Sequence, residues 1–249
     1  MNKVFCRKRF LISFILTGYL ILFNTACGLD TFYVIDAPYH VYHAPEYDEL
    51  EYTPTENYFE FETEDHEYDG VKFIGTEVYY KIYKSSSELD RAVNVLCDTA
   101  NNEETSYNSS TKLIDTYKYL PLLAEGYTGE NILLPKSGSN QKVYIRLSDI
   151  DGIYLAKITV DGQNIHGATD LVKPVRNITN HYSFNFKELP SDQLPQEDST
   201  SNPDYNYSGS SDGEYLYVAM FAVAVAQDNT YARIYSNILY LGSVAIKIQ

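Results

Sequence analysis

The sequence predicts a mainly β protein, an antiparallel β-sandwich carrying a short two-helix insertion. Three observations lead there. The 249-residue chain holds 25 Tyr and 11 Phe but no Trp, and such rings favour strands because they pack well on a pleated surface. Several segments alternate apolar and polar side chains with period two, the mark of a half-buried strand. One late run, residues 215–226 (YLYVAMFAVAVA), has no charged or strongly polar side chain, as a strand covered on both faces requires.

From the N-terminus, residues 1–9 carry Lys3, Arg7, Lys8 and Arg9, and residues 10–23 (FLISFILTGYLILF) are apolar apart from Ser13, Thr17 and Gly18. Fourteen helical residues span about 21 Å, short of a hydrocarbon core of about 30 Å. Basic segment followed by short apolar run is the layout of a signal peptide. The run ends in Asn24-Thr25-Ala26-Cys27-Gly28. Small residues before a Cys resemble the lipobox of bacterial lipoproteins, with Asn24 where that family usually has Leu. The resemblance implies cleavage after Ala26, diacylation of Cys27, and a chain held in the bacterial cell envelope by its lipid, at the outer membrane or cell surface. Cys6 would leave with the leader and Cys27 would take the lipid. Cys97 then stands alone, so no intramolecular disulfide holds the fold.

Residues 30–70 contain 13 acidic side chains and no Lys or Arg. Within them, about 28–55 mixes Pro, Tyr and acid without periodicity, and is expected to be an acidic tether with an edge strand near 31–35. The domain organisation is thus a leader over 1–26, a tether over 27–55, and one sandwich domain over 56–249 with insertions at about 85–140 and 190–214. Beyond residue 26 the chain has 15 basic against 34 acidic residues, a net of −19. That charge repels phosphate, so no nucleic-acid partner is expected and anionic membrane surfaces are poor partners for the domain itself, which would meet the membrane only through its N-terminal lipid.

Inside the domain, Phe59 and Phe61 alternate with Glu60 and Glu62. In 76–84 (TEVYYKIYK), Val78, Tyr80 and Ile82 share a face. Leu89, Ala92, Val93, Leu96 and Ala100 then follow one helical stripe, with Ser87 as the expected N-cap. A second short helix is expected over 111–120, stopped by Pro121. Val143, Ile145 and Leu147 alternate up to the turn Asp149-Ile150-Asp151-Gly152, and 153–160 return from it as a hairpin. Residues 181–187 (HYSFNFK) alternate again, 190–214 read as a disordered surface loop, and the last 35 residues read mostly as strand.

Phe184-x-Phe186-x-x-Leu189-Pro190, a loop, then Tyr217 opening an apolar strand resembles the corner between strands E and F of fibronectin type III-like and immunoglobulin-like sandwiches. By that resemblance residues 57–63 and 76–84 would be strands B and C, and 233–248 would supply G. Phe59 or Phe61 would replace the family's core Trp.

For chemistry, the sequence lacks a Gly-rich phosphate loop, a zinc-type Cys pair and a GxSxG nucleophile elbow. The expectation is therefore a protein that is not an enzyme, with no catalytic residue, cofactor or metal. His40-x-x-His43 has a metal-compatible spacing but lies between Pro38 and Pro45, where extended chain would splay the rings. Asp149-x-Asp151-Gly152 resembles the opening of a calcium loop without its closing Glu. The acids of Glu60–Asp69 suit a solvated strand face. Tyr39, Tyr42, Tyr47, Tyr52, Tyr107, Tyr205 and Tyr207 fall in expected loops, and exposed Tyr offers contact area with a polar tip, which suits a protein or glycan ligand. The function expected is an envelope-anchored binding or assembly module. The alternatives are a structural spacer without a ligand and a hydrolase whose residues converge only in space.

Overall fold

Strands of two sheets, antiparallel except for one short parallel edge strand, bury their rings against one another. The computed structural model describes residues 33–47, 53–129, 132–197, 200–211 and 213–248. The leader, Cys27 and Tyr52 lie outside these residues. The first sheet has the order β1-β2-β7-β8-β9, from β1 (His40–His43), β2 (Phe59–Glu62), β7 (Lys142–Arg146), β8 (Lys157–Val160) and β9 (Gln163–Asn164). The second is built on β3 (Lys72–Tyr83) and β12 (Tyr215–Gln227), paired antiparallel along nearly their whole length. β14 (Leu239–Lys247) and β13 (Arg233–Tyr235) line the far side of β12. The short strands β4 (Leu120–Pro121), β6 (Leu134–Pro135) and β11 (Tyr205–Asn206) line the far side of β3. A small ribbon joins β5 (Leu123–Ala124) to β10 (Pro174–Val175).

The alternation of β3 and β12 explains the two layers. Val78, Tyr80 and Ile82, with Val218, Met220 and Ala222, meet Phe59, Phe61, Val143, Ile145 and Ile158 of the first sheet in one cluster. The intervening Tyr79 and Tyr83, with Tyr217, Ala219, Phe221 and Val223, pack under Leu89, Ala92, Val93 and Leu96 of helix α1 (Ser86–Asn101). β12 is thus buried on both faces, one against a sheet and one against a helix. Each large apolar side chain so enclosed contributes about 1.5–3 kcal/mol.

Several elements differ from the sequence expectation. The helix starts two residues earlier than Ser87 implies, at Ser86, with Ser85 as N-cap. The second helix is an α turn, α2 (Ser109–Thr111), widening into a π-helical turn over Lys112–Thr116, and it ends before Lys118, whose φ is 55°. Within the expected tether, residues 40–43 form β1 and pair with β2. Residues 181–187 make no strand. Phe184 and Phe186 are fully buried from a tight turn in which Phe186 N–H donates to Phe184 C=O at 2.8 Å, so the two-residue spacing reflects a turn and not a ladder. The expected loop over 190–214 contains β11, with Asp204 completely buried beside it.

Candidate functional site

The candidate site is the outer face of the first sheet. Because Phe59, Phe61, Val143 and Ile145 point into the core, strand alternation sends Tyr58, Glu60, Glu62, Lys142, Tyr144 and Arg146 to the other side. Lys157 and the turn residue Tyr154 continue the face along β8, and Tyr39, His40, Tyr42 and His43 bring β1 onto its edge. Tyr39, Tyr42 and Tyr154 are 62%, 46% and 43% exposed.

The rings are held by their neighbours. His43 stacks on Tyr58 at 3.9 Å between centroids, and Tyr58 stacks on Tyr144 at 5.0 Å. The Arg146 guanidinium lies 5.4 Å from the Tyr58 ring and 5.3 Å from the Tyr154 ring. It also donates to the carbonyls of Pro54 and Thr55 and to the Tyr144 hydroxyl, at 3.2, 2.8 and 2.9 Å. Arg146 is only 3% exposed. Its work is to pin residues 54–58 and three tyrosines into one surface. Along the row, Tyr42 donates to Glu62 at 2.5 Å and lies under Lys142. That hydrogen bond, and then desolvation and the charge of Glu62, raise the Tyr42 phenol above its ordinary value. Burial, and then Glu56, do the same for Tyr58. Both hydroxyls stay protonated donors across the physiological range. Lys142 also pairs with Glu60 at 3.0 Å.

The sequence-derived candidates are sorted differently. His40 and His43 fall on either side of a register break in β1 and have separate neighbours, His40 against Tyr39 and Tyr42, His43 against Tyr58 and the Glu56 carbonyl. Among the described residues no three His, Cys, Asp or Glu side chains gather at metal-binding range. The acids of 60–69 are matched against the segment before and within β7. Asp65 accepts from Ser137 N–H at 2.7 Å, and Glu67 pairs with Lys136. Of the loop tyrosines, Tyr39, Tyr42, Tyr107 and Tyr207 are exposed. Tyr47 instead packs on Tyr217 and donates to Asp90 at 2.6 Å, and Tyr205 is 9% exposed. Tyr58, Tyr144, Tyr154 and Arg146 were not singled out as site residues, although alternation with Val143 and Ile145 already sets Tyr144 facing outward.

Asp149 works inside the hairpin turn. Burial opposes its ionisation, but Ala156 N–H at 2.6 Å, Asn185 Nδ2 at 2.8 Å and Lys173 Nζ at 3.1 Å outweigh it and hold the carboxyl below its usual range. With the folded pKa depressed, the unfolded chain binds the proton more readily. The stabilisation is therefore complete above the unfolded value of about 3.9 and is lost as the pH falls through the folded one. Asp149→Asn is expected to cost about 1–2 kcal/mol at pH 7 and less at pH 3. Urea unfolding at both pH values checks this, and equal costs at both would contradict it.

The chain matches no protein-family model, no curated protein and no solved structure.

Proposed function

We propose that this chain is a lipid-anchored envelope protein that binds a protein partner through the tyrosine-rich outer face of its first sheet, and that it has no enzymatic role. The signal-like leader and the resemblance of residues 24–28 to a lipobox support the anchor at Cys27. The resemblance to immunoglobulin-like sandwiches supports a domain built to present a sheet face. The observation that carries the reading is the arrangement of Tyr42, Tyr58, Tyr144 and Tyr154 around Arg146 and Lys142 on one solvent-facing surface. Tyr and Arg dominate the energetic centres of protein interfaces, where large rigid rings lose little entropy on binding. A protein partner is favoured over a glycan because the ring faces of His43, Tyr58 and Tyr144 are already stacked on one another. Edges and hydroxyls remain to meet a partner, whereas a sugar platform needs free faces.

In living cells, a photo-crosslinking amino acid placed at Tyr42 or Tyr154 is expected to give one discrete adduct. The same probe at Tyr231, 83% exposed on another turn, should give none. Tyr42→Ala with Tyr144→Ala should weaken the captured complex by about thirtyfold, equivalent to roughly 2 kcal/mol. Adducts equal at all three positions, or absent from the sheet face, would leave a spacer and overturn the binding role. In the same strains, Cys27→Ala should abolish labelling by a clickable palmitate, and retained label would remove the anchor.

A further inference from the structure

A second feature lies away from this face. A cavity of about 280 Å³ opens beside the N-terminal half of β3. Its apolar lining comes from Leu122, Leu123, Ala124 and Leu133. Polar groups of Glu77, Arg233, Asn177, Thr128, Tyr127 and His166 line it as well.

Glu77 sits on β3 and is 4% exposed. One carboxylate oxygen accepts from Arg233 Nη1 at 2.6 Å and the other from the Tyr79 hydroxyl at 2.5 Å. A carboxylate has about four acceptor positions, so each oxygen keeps capacity for one further hydrogen bond. Asn177 is fixed by donation from its Nδ2 to the Pro121 carbonyl at 3.1 Å and from its backbone N–H to Tyr80 at 2.7 Å. Its side-chain oxygen is thereby held in a set direction. His166 stacks on Tyr127 at 4.6 Å, with its backbone at φ 55°, in the left-handed region that a non-glycine residue enters at a cost. Its Nε2 is buried without a hydrogen-bond partner among the described residues. His166 and Leu133 also line a neighbouring cavity of about 320 Å³.

The chemistry of these walls narrows the ligand. The one acid and the one fixed cation neutralise each other, so a charged ligand would be desolvated without a counter-charge. A purely apolar ligand would strand the unused acceptors of Glu77 and Asn177. What fits is neutral and carries both hydroxyls and apolar carbon. The volume lies just under the ~300 Å³ at which pockets for drug-sized ligands begin, which limits the ligand to one ring. We infer that this cavity binds a single neutral pyranose, either a free sugar or the terminal residue of a glycan.

The test titrates the full chain with glucose, galactose, mannose and N-acetylglucosamine, each free and as its methyl glycoside, by ligand-observed saturation-transfer NMR. At least one sugar should saturate with a Kd of roughly 1 mM. Thr128→Val, with unchanged melting temperature, and Asn177→Ala, measured well below its own melting temperature because it also loses the bond to Pro121, should each weaken it about tenfold, whereas Tyr144→Ala should not alter it. Glu77→Gln should also abolish binding, and circular dichroism separates that loss from unfolding. Binding of the glycoside as well as the free sugar identifies a glycan terminus, and binding of the free sugar alone identifies a soluble ligand. No saturable transfer from any of the eight probes, or transfer indifferent to both Thr128→Val and Asn177→Ala, would overturn the site. Either result leaves the sheet-face reading untouched, because the two share no residue.

Discussion

Arg176→Ala is expected to lower the unfolding free energy by about 3–5 kcal/mol, the cost of leaving one member of a buried ion pair alone. Arg176 and Asp204 are both completely buried. Arg176 Nε and Nη2 each donate to Asp204 at 2.8 Å, and Nη2 also donates to Asn202 at 2.8 Å. The Tyr80 hydroxyl donates to the same carboxylate at 2.8 Å, and burial, with Asp204 behind it, pushes that phenol far above its ordinary value. Removing the guanidinium leaves an anion facing a phenol that will not ionise, in a site without solvent. The pair itself is another matter. Its desolvation offsets much of its attraction, and Arg176 Nη1 has no hydrogen-bond partner among the described residues. Arg176→Met with Asp204→Leu should therefore recover most of the lost stability, since apolar replacements of similar volume often match or exceed a buried pair. A double-mutant cycle in urea measures both quantities. A cost below about 1 kcal/mol for Arg176→Ala would mean that solvent reaches the pair.

This ion pair also shows where sequence reading stops. β12 was legible because twelve consecutive apolar residues admit few environments, and α1 because its stripe repeats with helical period. Asp204 gave no such signal. It lies among Ser, Asn, Pro and Asp, a composition that reads as loop, and only its distant partner Arg176 makes it core. β1 was hidden for a related reason. His40 and Tyr42 face outward and only Val41 packs against the core, so four residues carry no period. The turn holding Phe184 and Phe186 misled in the opposite direction, since a two-residue spacing arises from a γ-type turn as readily as from a strand. The candidate face was half legible. Tyr39 and Tyr42 were visible as exposed rings, but their assembly with Tyr58, Tyr144 and Tyr154 depends on the register of β1 on β2 and of β2 on β7, which no local pattern encodes.

Gly75→Ala should cost more than the strain of its backbone alone. Gly75 lies in β3 at φ +142°, opposite Pro135 of β6 and Val225 of β12. The ladder to β12 slips beside it, where Val225 pairs with Gly75 but Ala226 pairs with Phe73. A Cβ there would stand 2.2 Å from the Leu134 carbonyl oxygen, 2.8 Å from Ile132 Cγ2 and 3.0 Å from Pro135 Cα. Two of these are backbone atoms, so no rotamer change relieves the contact, and β6 must move away from β3. Gly162 supplies the control. It is also at positive φ, +76°, and a Cβ there meets nothing within 4 Å. Gly162→Ala should therefore cost only the left-handed penalty of about 1–2 kcal/mol, and Gly75→Ala at least about 3 kcal/mol. Thermal unfolding of both variants isolates the steric part as their difference. Equal losses would mean that β6 is not held against β3 at this point. The same displacement shifts Leu133, which walls both cavities, so a folded remnant of Gly75→Ala should bind pyranose more weakly at temperatures where Gly162→Ala still binds normally.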